Sequence, residues 1–191
     1  MLTRQEKIKR LDEIAEKIAS CEVCPELCKN AKNPVPGEGD PEAAIMFVGE
    51  APGAREDETG RPFVGAAGKF LEEMLSSIEL KRQDVYITNI VKYRPPGNRD
   101  PLPEEIKACL PFLLAQIKVI APKLVVFLGR HSMSVFFPEL RISQAHGRPV
   151  RRSGQVFLPL YHPAAALYNG GMRESLLEDF AKIPKILATI N

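Results

Sequence analysis

The 191-residue sequence contains no apolar run near the roughly 20 residues that span a bilayer, so no membrane contact is expected. Its first residues lack the apolar core of a secretory signal. Charge of one sign is not in excess. The net charge of +2 is too small to imply nucleic-acid binding by itself, so any basic surface must be local. No low-complexity segment, internal repeat or long linker divides the chain, which suggests one domain over residues 1–191, with a helix and a cysteine-bearing appendage at 1–30. Cysteine is sparse, at four residues. These absences point to a cytosolic, reducing compartment, where such cysteines serve as metal ligands or free thiols in preference to disulfides.

What is present is alternation. Thr3-Arg4-Gln5-Glu6 has the form of a capping box opening an amphipathic helix with Ile8, Leu11, Ile14 and Ile18 on one face. Apolar strand candidates at Ala44–Val48, Val85–Asn89, Leu124–Leu128 and Val156–Leu160 alternate with helical patterns at roughly 66–79, 103–119, 130–137 and 172–188. Pro111 falls inside the second of these helices and predicts a kink or split there. Ser153-Gly154 reads as a hairpin turn between Arg148–Arg152 and Gln155–Leu160. The fold class is therefore α/β: a three-layer α/β/α sandwich around a central, mostly parallel four-stranded sheet. In such a sheet the loops after the strands open on one rim. They would bring Glu50 and Phe63, then Asn89, His131 and His162, around one cleft.

The densest of these loops is Gly49–Gly65, which carries four glycines, two prolines and several acids directly after a strand. It lacks the G-x-G-x-x-G spacing of a dinucleotide site, and Pro52 stands where a phosphate-binding amide would be needed. Three segments in order, GEAPGAREDETGRPFVGAAGKFL, TNIVKYRPPGNRDPLPEE and YHPAA, resemble the family 4 uracil-DNA glycosylases, the iron–sulfur members of that superfamily. The likeness runs from about Cys21 to the end of the chain. It implies a DNA repair hydrolase of base excision repair that flips uracil out of DNA and cleaves its N-glycosidic bond, leaving an abasic site. The substrate would be uracil-containing DNA, single- or double-stranded, handled by a monomer at the nucleoid.

The residue types suit that chemistry. By the resemblance, Phe63 supplies the face on which uracil stacks, and Ala51 and Glu56 belong to the same pocket, Glu56 near C5, where it would exclude the methyl of thymine. Uracil pairs a donor N3–H with an acceptor O4, and cytosine inverts the pair. An amide held in one orientation reads the difference, and Asn89 matches the family residue in that role. Its orientation must be fixed by partners, since a flipped amide would reverse the preference. His162 would donate to O2 as negative charge builds on the departing base. Glu50 would place or activate the water. A paired-carboxylate mechanism is not required, because uracil leaves as a stabilised anion. No lysine nucleophile appears in the pocket motifs, so hydrolysis without strand cleavage is expected.

DNA contacts fall by the same resemblance on Lys92, Arg94, Asn98 and Arg99, with Leu167 as the apolar wedge that fills the gap left by the flipped base. Arg148, Arg151 and Arg152 would extend the basic face. Cys21, Cys24 and Cys109 match three cluster ligands of the family, but Tyr93 stands where the fourth is expected. Cys28 is an additional cysteine, at i+7 from Cys21. The expected cofactor is thus a [4Fe–4S] cluster with Cys28 as the fourth ligand. Zinc, a cluster with one non-cysteine ligand, or no metal are the alternatives. The alternative function is a non-catalytic Fe–S or Zn nucleic-acid-binding module derived from this fold.

Overall fold

The computed structural model describes residues 2–20 and 25–190. Helix α1 (Arg4–Ala19) starts at the anticipated capping box, with the Thr3 amide donating to the Glu6 carboxylate at 2.7 Å. Of its apolar face Ile18 is buried, Leu11 and Ile14 pack partly, and Ile8 stays exposed. Helix α2 (Pro25–Asn30) and a short β1 (Glu38–Gly39) follow. Strand β2 (Ile45–Gly49) leads through α3 (Ala54–Thr59) to α4 (Ala66–Ser77), and β3 (Tyr86–Asn89) leads to α5 (Pro103–Ile120). Strand β4 (Leu124–Leu128) leads to α6 (Arg130–Phe136) and α7 (Ile142–Ala145). A hairpin, β5 (Val150–Arg152) and β6 (Gln155–Leu160), leads to α8 (Pro163–Ala166), α9 (Gly170–Phe180) and α10 (Ile183–Ala188).

The sheet has six strands in the order β1-β3-β2-β4-β6-β5. The inner four are parallel and coincide with the four expected, while β1 and β5 pair antiparallel at the edges. Strand β5 is the hairpin arm expected within Arg148–Arg152, while β1 was not expected, because two residues are too short to show an apolar alternation. The inner strands are buried on both faces and so read as unbroken apolar runs. Ile45, Phe47, Ile87, Val126 and Leu158 face α4, α9 and α10, with Phe47 stacked on Phe180 at 5.5 Å. Met46, Val48, Tyr86, Val125 and Phe127 face α1, α5 and α6. The result is three layers, α/β/α.

Two helix expectations change. Helix α5 is not split at Pro111 but runs through it as one element. Pro111 lies on its exposed side, where water can serve the Lys107 carbonyl that the missing N–H leaves unpaired. The helix expected over 172–188 divides at Ala181–Lys182, and Pro184 falls in the first turn of α10, where no intrahelical N–H is needed. The Ser153-Gly154 turn is as expected, with both residues at positive φ (49° and 82°), the geometry of a tight hairpin.

Candidate active site

The parallel strands deliver their C-terminal ends to one rim, where a cavity of about 350 Å³ opens. Glu50, Ala51, Glu56, Phe63, Asn89, Asn98, Arg99 and His162, all anticipated from the sequence, line it. Ala67, Pro95, Asp100 and Ala164, which were not anticipated, line it too.

Asn89 closes β3. The ladder continues past it through Ile90 N–H to the Gly49 carbonyl at 3.0 Å and Val91 N–H to the Glu50 carbonyl at 3.1 Å, so Asn89 and Glu50 leave the sheet side by side. The Asn89 side chain is buried, and its Oδ1 has no hydrogen-bond partner. An orphaned buried acceptor is costly, which makes this oxygen a site prepared for an external donor. The partner expected to fix the amide is not found on this oxygen. The oxygen rests over Gly49, where a Cβ would lie 2.3 Å from Oδ1 and 2.6 Å from Phe63 Cζ.

Phe63 adopts φ +52° and is nearly fully buried. The Glu56 carboxylate holds the chain on its far side, accepting from Val64 N–H at 2.8 Å, Gly65 N–H at 2.9 Å and Gly53 N–H at 3.2 Å. Glu56 is thus the organiser of the loop as well as part of the cavity wall. Helix α4 comes so close that a Cβ on Gly68 would sit 1.8 Å from the Phe63 carbonyl oxygen, so only glycine fits there.

His162 caps α8, its Nδ1 accepting from Ala164 N–H at 3.1 Å. That bond leaves the proton on Nε2. Burial pushes its pKa down to about 4, with Glu56 opposing the shift, so the ring is a neutral donor at neutral pH. Its ring lies 5.8 Å from that of Phe63. Burial also raises the Glu50 carboxyl above the usual range; the Asp100 carboxylate adds to this, while His131 and Arg130 oppose it. His131 itself sits outside the cavity lining. Its Nε2 accepts from Arg130 Nε at 3.0 Å and lies 3.3 Å from the Asp100 carboxylate.

A base-sized cavity, an unpaired amide, an aromatic face and a neutral imidazole are thus in one place. Residues 36–186 match the model of the uracil DNA glycosylase superfamily. The chain is 49% identical to the type-4 uracil-DNA glycosylase of Sulfurisphaera tokodaii over 94% of its own length and 86% of that protein. It is 44% identical to the type-4 enzyme of Thermotoga maritima, over 95% of both chains. A type-5 uracil-DNA glycosylase of Thermus thermophilus is 35% identical over 66% of this chain and 64% of its own. The chain belongs to the type-4 uracil-DNA glycosylase family.

The DNA-contact set expected from this family is only partly at the surface. Lys92 is fully buried, which removes it from any phosphate contact. Its ammonium donates at 2.8 Å each to Thr88 Oγ1, the Asn89 carbonyl and Gln116 Oε1, and burial pushes its pKa down to about 7. It is a brace for the end of β3. Arg94 Nε donates to Asn98 Oδ1 at 2.7 Å, and Arg99 forms a two-pronged pair with Glu105 at 2.6 and 2.9 Å. Arg99 lines the cavity, and Arg94 is joined to it through Asn98. Arg151 and Arg152 do not extend that face. They pair with Val156 and Gln155 at the start of β6, whereas the cavity lies at the strand ends. Leu167 follows α8 at the surface, and the neighbouring Tyr168 is 93% exposed.

Of the family's cluster positions, Cys21 and Cys24 lie outside the described residues. Cys28 on α2 and Cys109 on α5 belong to one apolar cluster, together with Ile18 and Leu27 from either side of residues 21–24. Buried Tyr93 joins the same cluster and donates its hydroxyl to the Ile18 carbonyl. The residue in the missing ligand's place thus ties α1 to the loop after β3. Among the described residues no helix is long and apolar enough to cross a membrane.

Proposed function

We propose that this chain is a DNA repair glycosylase that hydrolyses the N-glycosidic bond of uracil in DNA and leaves an abasic site. The observation that carries the reading is the buried, unpaired Oδ1 of Asn89 in the wall of a base-sized cavity. It matches the N3–H of uracil, and cytosine has no donor to offer at that position. The flipped base stacks on Phe63, and Asn89 accepts from N3–H. Glu56, locked in place by three amides, forms the wall on the C5 side, where thymine carries its methyl. The C1′–N1 bond breaks with its electron pair going to the base, and the charge that collects on O2 meets Nε2–H of His162. The ring is already neutral and oriented, so no reorganisation is needed when the charge appears. Glu50 holds the water that adds to C1′ and receives its proton. Desolvation makes that carboxylate more basic than an exposed one.

The reading is tested with free bases. Uracil is expected to inhibit excision competitively, while cytosine and thymine at equal concentration leave the rate unchanged. Equal inhibition by all three would contradict the roles given to Asn89 and Glu56.

We also propose a [4Fe–4S] cluster held by Cys21, Cys24 and Cys109, which match family ligands, with Cys28 standing in for the ligand missing at Tyr93. In support, Cys28 and Cys109 share an apolar cluster with Ile18 and Leu27, residues on both sides of the segment that carries Cys21 and Cys24. Four thiolates suffice for a cubane, which would tie α1 and α2 to α5 away from the base cavity. Protein purified without oxygen is expected to be brown and to hold about four irons per chain. Colourless, iron-free protein that stays folded and active would overturn the assignment, and stoichiometric zinc would replace it.

A further inference from the structure

We infer that Arg82, which does not itself line the base cavity, is the positioning residue for the stacking face of Phe63. Arg82 opens the single turn Arg82–Asp84 before β3, and its side chain is 16% exposed. Its Nη1 donates to the Phe63 carbonyl at 2.8 Å, and its Nη2 donates to the Pro62 carbonyl at 2.6 Å. One guanidinium thus grips two consecutive carbonyls, a fork that lysine cannot reproduce. The grip is itself held. Glu38 on β1 accepts from Arg82 Nε and Nη2, Arg61 Nε binds the same carboxylate at 2.7 Å, and Glu72 of α4 lies 3.5 Å from Nη1.

The reason for such a grip is the backbone of Phe63. At φ +52° it occupies the left-handed region, which a non-glycine residue keeps only when its surroundings over-determine it. Three constraints meet there. Arg82 fixes the carbonyls of residues 62 and 63, Glu56 fixes the amides of residues 64 and 65, and the bare Cα of Gly68 admits the Phe63 carbonyl against α4. Glu56 faces the base cavity, whereas Arg82 and Glu38 face a separate open, charged cleft of about 750 Å³ on the other side of the loop. Arg82 therefore acts only through the Phe63 backbone, by aiming the ring. Stacking is present both before and during bond cleavage, so misaiming the ring weakens ground state and transition state alike.

This inference rests on the proposed role of Phe63 in uracil binding, and the test separates the two. Inhibition by free uracil, KM and kcat on a uracil oligonucleotide, affinity for abasic-site DNA and thermal melting are measured for wild type, Arg82→Ala, Arg82→Lys and Glu38→Gln. In Arg82→Ala the inhibition constant for uracil and KM are expected to rise about tenfold, the scale of one base–aromatic stack, with kcat little changed and abasic-site affinity retained. Arg82→Lys is expected to melt near wild type yet keep most of the uracil defect, and Glu38→Gln to fall between. Wild-type uracil inhibition in Arg82→Lys and Glu38→Gln would overturn the inference even if Arg82→Ala did not fold. A wild-type chain indifferent to free uracil would overturn the proposed function, and this inference with it.

Discussion

Replacement of His162 by alanine is expected to lower the single-turnover rate of uracil excision about 10²–10³-fold, the usual cost of removing one donor to a developing oxyanion. The state of the ring sets this cost. Ala164 N–H occupies Nδ1, so Nε2 carries the proton, and burial holds the pKa near 4, far below neutrality. The charge it answers appears only as the C1′–N1 bond breaks. Affinity for uracil-containing DNA should therefore survive in the variant while the chemical step slows. The sign of the pKa shift adds a condition. Because the folded state keeps the ring neutral down to about pH 4, the His162-dependent part of the rate should stay level from pH 8 to pH 5. It should decline only when protonation of Nδ1 breaks the bond from Ala164 N–H. Equal losses in DNA affinity and rate would contradict this assignment.

Gly49→Ala should be nearly as damaging although Gly49 has no side chain to contribute. The added methyl would stand 2.3 Å from Asn89 Oδ1 and 2.6 Å from Phe63 Cζ, so the base reader and the stacking ring must both move. A displacement of about 1 Å at such groups costs about 10²-fold, and we expect at least that loss in kcat/KM. The stability cost should stay within the ~1–3 kcal/mol of an overpacked core site. Melting and kinetics measured on the same preparation separate the two effects. Wild-type kinetics in a folded Gly49→Ala protein would mean that neither group is where the chemistry needs it.

The pocket was legible in the sequence because its parts sit at the ends of strong signals. Glu50, Asn89 and His162 each terminate an apolar run, and parallel strands gather their C-terminal ends whatever the loops do. Phe63 was legible through its motif, but its support was not. Gly68 reads as an ordinary helix residue until α4 is seen pressed on the Phe63 carbonyl, and Arg82 reads as a surface charge because its partners lie 19, 20 and 44 residues away. Lys92 misled for the same reason. A lysine beside a basic loop suggests phosphate, and only the spatial meeting of Thr88, Asn89 and Gln116 reveals a buried brace. Helix α3 was hidden inside the glycine-rich loop, since six residues between Gly53 and Gly60 give too little periodicity to read.

We propose that Asn89, Phe63, His162 and Glu50 form a uracil-excising site. The most direct measurement is incubation of the purified protein with uracil-containing single- and double-stranded oligonucleotides, followed by alkaline cleavage of abasic sites. Strand breaks at the uracil position, with none at cytosine or thymine in the same sequence context, are the predicted result. Folded protein that yields no break in either substrate would contradict it.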